Sequence, residues 1–162
     1  MIQPAAKAPP DDWQPQIIAF CCNYCAYAAA DLAGSRRMQY SPNIRIVRLP
    51  CTGKLELEHI LAAFEKGVDG VLVAGCLEGG CHFQEGNLRA RRRTDKVRDM
   101  LDQIGVGRER LLMVNLSAAM APTFVQRVGE IVEAVRALGP NPLKAASADA
   151  QASPDQQGVV AP

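Results

Sequence analysis

Between residues 16 and 138 the chain alternates short apolar runs with segments whose apolar positions return every three or four residues, the pattern of an α/β fold. Gln16 to Cys22 (QIIAFCC) is apolar with little alternation, as a strand covered on both faces requires. A helix around Tyr27 to Arg37 follows. Ile44 to Leu49 (IRIVRL) predicts the second strand, closed by Pro50. From Leu55 to Lys66, the spacing of Leu57, Ile60, Leu61 and Phe64 predicts a helix, and Gly67 ends it. Gly70 to Gly75 (GVLVAG) is continuously apolar at its centre and predicts the third strand. A long helix spans Asn87 to Ile104, with Val97, Met100, Leu101 and Ile104 as its buried stripe. Arg110 to Leu116 is the fourth strand. Pro122 suits the first turn of the last helix, whose Phe124, Val128, Ile131, Val135 and Leu138 recur at helical spacing until Gly139 and Pro140 close it. The expected architecture is a small four-stranded parallel, flavodoxin-like sheet with helices on both faces.

Residues 16–139 would form this domain. Residues 1–15, punctuated by prolines, and 140–162, rich in Ala, Ser, Gln and Asp, read as a flexible N-terminal tail and a disordered C-terminal tail. Eighteen basic residues against seventeen acidic give a formal net charge of +1, which argues against a phosphate backbone as the main partner. No apolar stretch approaches the roughly 20 residues of a membrane helix, and the first residues lack the charged start and apolar run of a signal peptide. The expectation is a cytoplasmic protein without membrane or nucleic-acid binding.

Six cysteines change the picture. In a reducing compartment they point to metal binding or redox chemistry rather than to disulfides. Their positions follow the predicted strands: Cys21, Cys22 and Cys25 at or just past the end of the first, Cys51 after the second, Cys76 and Cys81 after the third. The carboxyl ends of parallel strands open on one edge of the sheet, so three strand ends deliver thiols to one place. Soft thiolates converging there suit an iron–sulfur cluster. Cys22 and Cys25 form a CNYC pair that can reach one metal, and Gly75, Gly79 and Gly80 around Cys76 and Cys81, with Gly53 after Cys51, permit the turns of a cluster loop. Cys21, inside the apolar strand, reads as a core thiol rather than a ligand. His82, beside Cys81, is not counted a ligand, and His59 reads as an ordinary helical residue. Two other chemistries use the same residues. One is a thiol-disulfide or persulfide-handling enzyme working through Cys22 and Cys25; the other is a zinc-binding interaction module.

The segments FCCNYCAYAAADLAG, RLPCTGKLELEHILAAFEKGVDGVLVAGC, GGCHFQEGNLRARRR and RLLMVNLSA, spanning about Ile17 to Ala118, carry a resemblance to a known family. Together they resemble the delta subunit of methyl-viologen-reducing (F420-non-reducing) hydrogenase, the iron–sulfur subunit that accompanies heterodisulfide reductase. The resemblance implies a [2Fe-2S] cluster on the cysteines. It also implies a non-catalytic role, relaying electrons between a hydrogenase or other donor module, such as a formate dehydrogenase, and the flavin-bearing A subunit of heterodisulfide reductase. Cys22, Cys25, Cys51, Cys76 and Cys81 are five candidates for four positions: Cys51, Cys76 and Cys81 are separate anchors, joined by Cys25 or Cys22. At Gly80, where relatives commonly carry an acid, and at Leu77, where they carry a His, the chain departs from the family pattern.

Arg89, Arg91, Arg92, Arg93, Lys96 and Arg98 begin just after the Cys81 loop and place positive charge near the thiols. Arg89, Arg92, Arg93 and Lys96 are the candidate docking patch for an acidic partner, against the simpler reading of a solvated helix face.

Overall fold

The computed structural model describes residues 13–144. It contains strands β1 (Ile17–Cys22), β2 (Ile44–Leu49), β3 (Gly70–Cys76) and β4 (Leu111–Leu116), and helices α1 (Ala26–Ser35), α2 (Leu57–Glu65), α3 (Gly86–Gln103) and α4 (Ala121–Leu138). All four strands are parallel, in the order β2-β1-β3-β4. Each anticipated element is present, with ends shifted by a residue or two. The exception is the start of the second helix, where Thr52–Lys54 forms a separate 3-10 turn directly after Cys51.

Two apolar layers flank the sheet. On one face Ala26, Ala29 and Ala30 of α1 and Phe124, Val128, Ile131 and Val135 of α4 pack on Ala19, Leu72 and Val114. The small alanine face of α1 lets that helix lie close to the sheet and to α4. On the other face Ile60 and Phe64 of α2 and Val97 and Leu101 of α3 pack on Phe20, Val71 and Val73. All seven residues of β3 are buried, which is why its sequence shows no polar alternation.

The amino ends of the strands are tied by buried polar groups. Asp69, just before β3, accepts hydrogen bonds from the Gln16 and Asn141 backbone N–H groups, both at 2.9 Å, and pairs with Lys144 at 2.8 Å. Arg110, just before β4, donates to the carbonyls of Val106, Asp69, Gly139, Leu138 and Pro140. The Asn141 side chain donates to the Phe64 and Val68 carbonyls, both at 2.8 Å. Residues 140–144, grouped with the C-terminal tail by composition, are therefore part of the folded unit: Asn141 is buried because it satisfies the carbonyls where α2 ends. The rest of that tail, and residues 1–12 of the N-terminal one, lie outside the described residues. No helix among the described residues is long and apolar enough to cross a membrane.

Candidate metal centre

β1, β2 and β3 end together, and the thiols lie where they end. Cys22 closes β1 and Cys76 closes β3, the strand beside it, so their sulfurs stand 3.4 Å apart. Cys25 starts α1 as its N-terminal cap residue, and its thiol interacts with those of Cys76 and Cys22. Cys51, after β2, interacts with Cys81 from the loop that follows β3. All five sequence candidates are thus brought together. Cys21 points into the apolar core, as its strand position requires, and burial followed by the neighbouring Cys22 pushes its thiol up to about 12.

The approach of Cys51 to Cys81 depends on two glycines that cross backbone to backbone. A Cβ on Gly53 would stand 2.7 Å from the Gly86 Cα, and a Cβ on Gly86 would stand 2.3 Å from the Cys51 sulfur and 3.3 Å from that of Cys81. Both thiols therefore lie in space that any other residue at position 86 would fill. Gly86 lies with Asn87 in the GGCHFQEGNLRARRR segment that carries the family resemblance, but its contact with the thiols was not anticipated from the sequence.

Local electrostatics separate the thiols. Burial raises Cys25, Cys51 and Cys76 above the ordinary thiol value; at Cys76 the hydrogen bonds with Cys25 and Cys22 add to it. Burial also acts on Cys81, but the backbone N–H groups of Asn87, Phe83 and Gly86 and the Cys51 thiol outweigh it. The Cys81 thiol lies below its ordinary value. Those N–H groups belong to the α3 amino end or the turn leading into it, where unpaired donors and the helix dipole favour negative charge.

Side chains outside the cysteine set hold the loops. Buried Asn87 donates to the carbonyls of Cys76 at 3.1 Å and Leu77 at 2.9 Å. Asn115 of β4 also donates to the Cys76 carbonyl, and Arg91 donates to the Asn115 side-chain oxygen while facing Glu78 at 3.6 Å. Arg93 donates to the carbonyls of Gly53 at 2.8 Å and Leu55 at 3.2 Å and pairs with Glu56 at 2.9 Å. Arg93 is thus turned toward its own chain, bracing the Cys51 loop against α3 rather than facing a partner. Arg89 pairs with Glu85 at 3.7 Å. Arg92 and Lys96 are exposed and make no ion pair among the described residues. His59 completes the cap of α2, its Nδ1 accepting from the Glu56 N–H at 3.1 Å.

Replacing Asn87 by Ala leaves two loop carbonyls without that donor, one of them buried, at a cost of about 2 kcal/mol. The expected result is a lower unfolding midpoint in urea together with a reduced iron load. An unchanged midpoint and load would deny Asn87 this role.

Among the described residues no group of three or more His, Cys, Asp or Glu side chains is arranged to hold a single metal ion as the chain stands. The edge instead presents thiols in neighbouring pairs, Cys22 with Cys76 and Cys51 with Cys81, and Cys25 beside the first pair. Soft sulfur donors of this kind suit iron–sulfur clusters and thiophilic metals.

Comparison with known proteins agrees with the thiol edge. Residues 17–139 match the family model described as "Methyl-viologen-reducing hydrogenase, delta subunit". The chain is 51% identical over 131 residues to the iron-sulfur D subunit of the F420-non-reducing hydrogenase vhu of Methanocaldococcus jannaschii, covering 81% of this chain and 98% of that protein. It is 43% identical over 134 residues to the iron-sulfur D subunit of the vhc hydrogenase of Methanococcus voltae, covering 83% and 93%. A different kind of relative is the A subunit of the ferredoxin/F(420)H(2)-dependent CoB-CoM heterodisulfide reductase of Methanosarcina acetivorans. It is 40% identical over 126 residues, which are 78% of this chain but 16% of that longer protein. With its family match running from the first residue of β1 to the end of α4, the chain belongs to the methyl-viologen-reducing hydrogenase delta subunit family.

Proposed function

We propose that the chain carries a [2Fe-2S] cluster on four of its edge cysteines and relays electrons between a donor module and the flavin-bearing A subunit of a heterodisulfide-reductase-type complex. The donor is a hydrogenase or a formate dehydrogenase-type subunit, and the setting is the cytoplasm. The observation that carries this reading is the convergence of five thiols from three strand ends on one edge. The names of the relatives support electron transfer in a hydrogenase and heterodisulfide reductase context. When bound, such a cluster supplies a one-electron carrier.

The chain's own residues do the rest. Cys51, Cys76 and Cys81 supply three thiolates, and the 3.4 Å contact with Cys76 favours Cys22 over Cys25 as the fourth. Two pairs of thiols match a cluster whose two irons each take two. The N–H groups of Phe83, Gly86 and Asn87 donate to the Cys81 sulfur and stabilise its negative charge. Apolar burial of Cys22 and Cys76 excludes water from one side, while Cys25 and Cys81 lie partly exposed on the other. Electron exchange with a partner belongs on that open side.

A thiol-disulfide enzyme working through Cys22 and Cys25 fits less well. Its attacking thiol needs a lowered pKa, whereas Cys25 is raised by burial and Cys22 is buried against Cys76. Serine substitution at each cysteine, followed by anaerobic purification, tests the assignment. Variants at Cys51, Cys76 and Cys81 should lose the colour, iron and sulfide, whereas the Cys21 variant keeps most of them. Loss at Cys22 with retention at Cys25 identifies the fourth ligand. A fully loaded Cys81 variant overturns the ligand set. Stoichiometric zinc without sulfide in the native protein overturns the electron-transfer reading itself.

A further inference from the structure

Large apolar side chains are exposed beside the thiols. Phe83 is 51% exposed, Tyr24 44% and Leu77 41%, and Leu88 on the first turn of α3 is exposed as well. Each comes from a segment that carries or adjoins a candidate ligand. Tyr24 lies between Cys22 and Cys25, Leu77 follows Cys76, Phe83 follows Cys81, and Leu88 is near Gly86. Three of the rings are organised: Tyr24 stacks on His82 with centroids 4.0 Å apart, and Phe83 meets Tyr24 and His82 edge-on at 6.0 and 5.3 Å. The turn presenting Phe83 holds Gln84 at φ 61°, a left-handed conformation that a side-chain-bearing residue adopts only under constraint. Exposed apolar side chains gathered in this way mark an interaction site, and rigid aromatic side chains lose little freedom when covered.

We propose that the Tyr24–His82–Phe83 group, with Leu77 and Leu88, is the surface on which the flavin-bearing A subunit seats. Apolar contact lies at its centre, and the exposed Arg92, Asp95 and Lys96 of α3 follow Leu88 along the helix. The inference rests on the electron-relay reading and adds to it the face and chemistry of the contact. Two observations select this occupant. The patch is built from residues that lie next to Cys22, Cys25, Cys76 and Cys81 in the chain, so whatever covers it is brought close to the thiols. In the Methanosarcina relative the homologous segment is part of the same polypeptide as the A subunit, so the two share one chain there.

The test compares full-length loaded proteins binding the purified, flavin-loaded A subunit of the same organism, at about 0.1 M and 0.5 M salt. Tyr24→Ser with Leu88→Ser should weaken binding by at least about tenfold at both ionic strengths. Iron, sulfide and visible spectrum should be unchanged. Phe83→Leu, which keeps an apolar side chain, should bind within about threefold of the native protein. Native-level binding by the double Ser variant overturns the proposal while leaving the partnership standing. Loss of cluster in that variant overturns it too, because the aromatic group would then support the site rather than a partner. A native homodimer that the double Ser variant dissociates assigns the surface to a second copy and likewise overturns it. If the native protein does not bind the A subunit at all, the underlying partnership fails, a result distinct from the others.

Discussion

A Gly86→Ala variant should retain its sheet and helices yet assemble almost no cluster. The added methyl group would stand 2.3 Å from the Cys51 sulfur and 3.3 Å from that of Cys81, well inside carbon–sulfur contact. Helix propensity works the other way, since Ala at a helix position is favoured over Gly by about 1 kcal/mol. Overpacking of this severity costs about 1–3 kcal/mol and falls on two of the proposed ligands. Far-ultraviolet circular dichroism should therefore match the native protein while iron and sulfide analysis shows the loss. Gly53→Ala should act in the same direction, because its methyl group meets the Gly86 Cα at 2.7 Å. A fully loaded Gly86→Ala protein would show that the Cys51 and Cys81 loops separate easily, and that the crossing is not what brings the thiols together.

The largest effect on stability is expected from the opposite end of the sheet. Arg110→Ala removes a buried guanidinium that donates to five backbone carbonyls, among them that of Asp69, whose buried carboxylate keeps its ion pair with Lys144. Each buried carbonyl left without its donor costs about 1–3 kcal/mol. Denaturant unfolding of the cluster-free protein should show a lower midpoint with an unchanged slope. Any folded Arg110→Ala protein should still take up iron, because Arg110 sits at the start of β4, whereas the thiols follow the ends of β1, β2 and β3. A defect in iron uptake as large as that of Gly86→Ala would contradict this separation of roles.

The fold was legible where one element declares itself locally. The unbroken apolar run of β3, the stripe of α4 closed by Gly139, and the thiols after three strands all follow from spacing and composition. What escaped the sequence reading depends on contacts between distant residues. Arg93 looks like its neighbours Arg91 and Arg92, and only the packing of α3 against the Cys51 loop, 40 residues earlier, turns it into a brace. Asn115 lies in an ordinary strand and acquires a role because β3 ends beside it. Asn141 sits among prolines in a segment whose composition is that of a tail, and it is buried because Asp69 and the end of α2 present polar groups it can satisfy. Gly86 reads as a common helix start until Gly53 is seen to cross it. The aromatic group was hidden for a related reason: Tyr24 and Phe83 are far apart in sequence, and nothing local shows that they share one surface.

The polar ties made by Gln16, Asp69, Arg110 and Asn141 have a consequence for how the domain can be joined to other things. The described chain enters at the amino edge of the sheet beside Asp69 and leaves at that edge through Asn141 and Lys144, with the thiols at the far edge. Both attachment points therefore face away from the thiol edge, and the domain has the geometry of a plug: cable on one side, contact on the other. A polypeptide extended from either point need not pass over the thiols, which suits the Methanosarcina protein whose single chain carries a homologous segment. The same layout recommends the amino edge for surface immobilisation, so that an electrode-bound protein presents its working end to the solution.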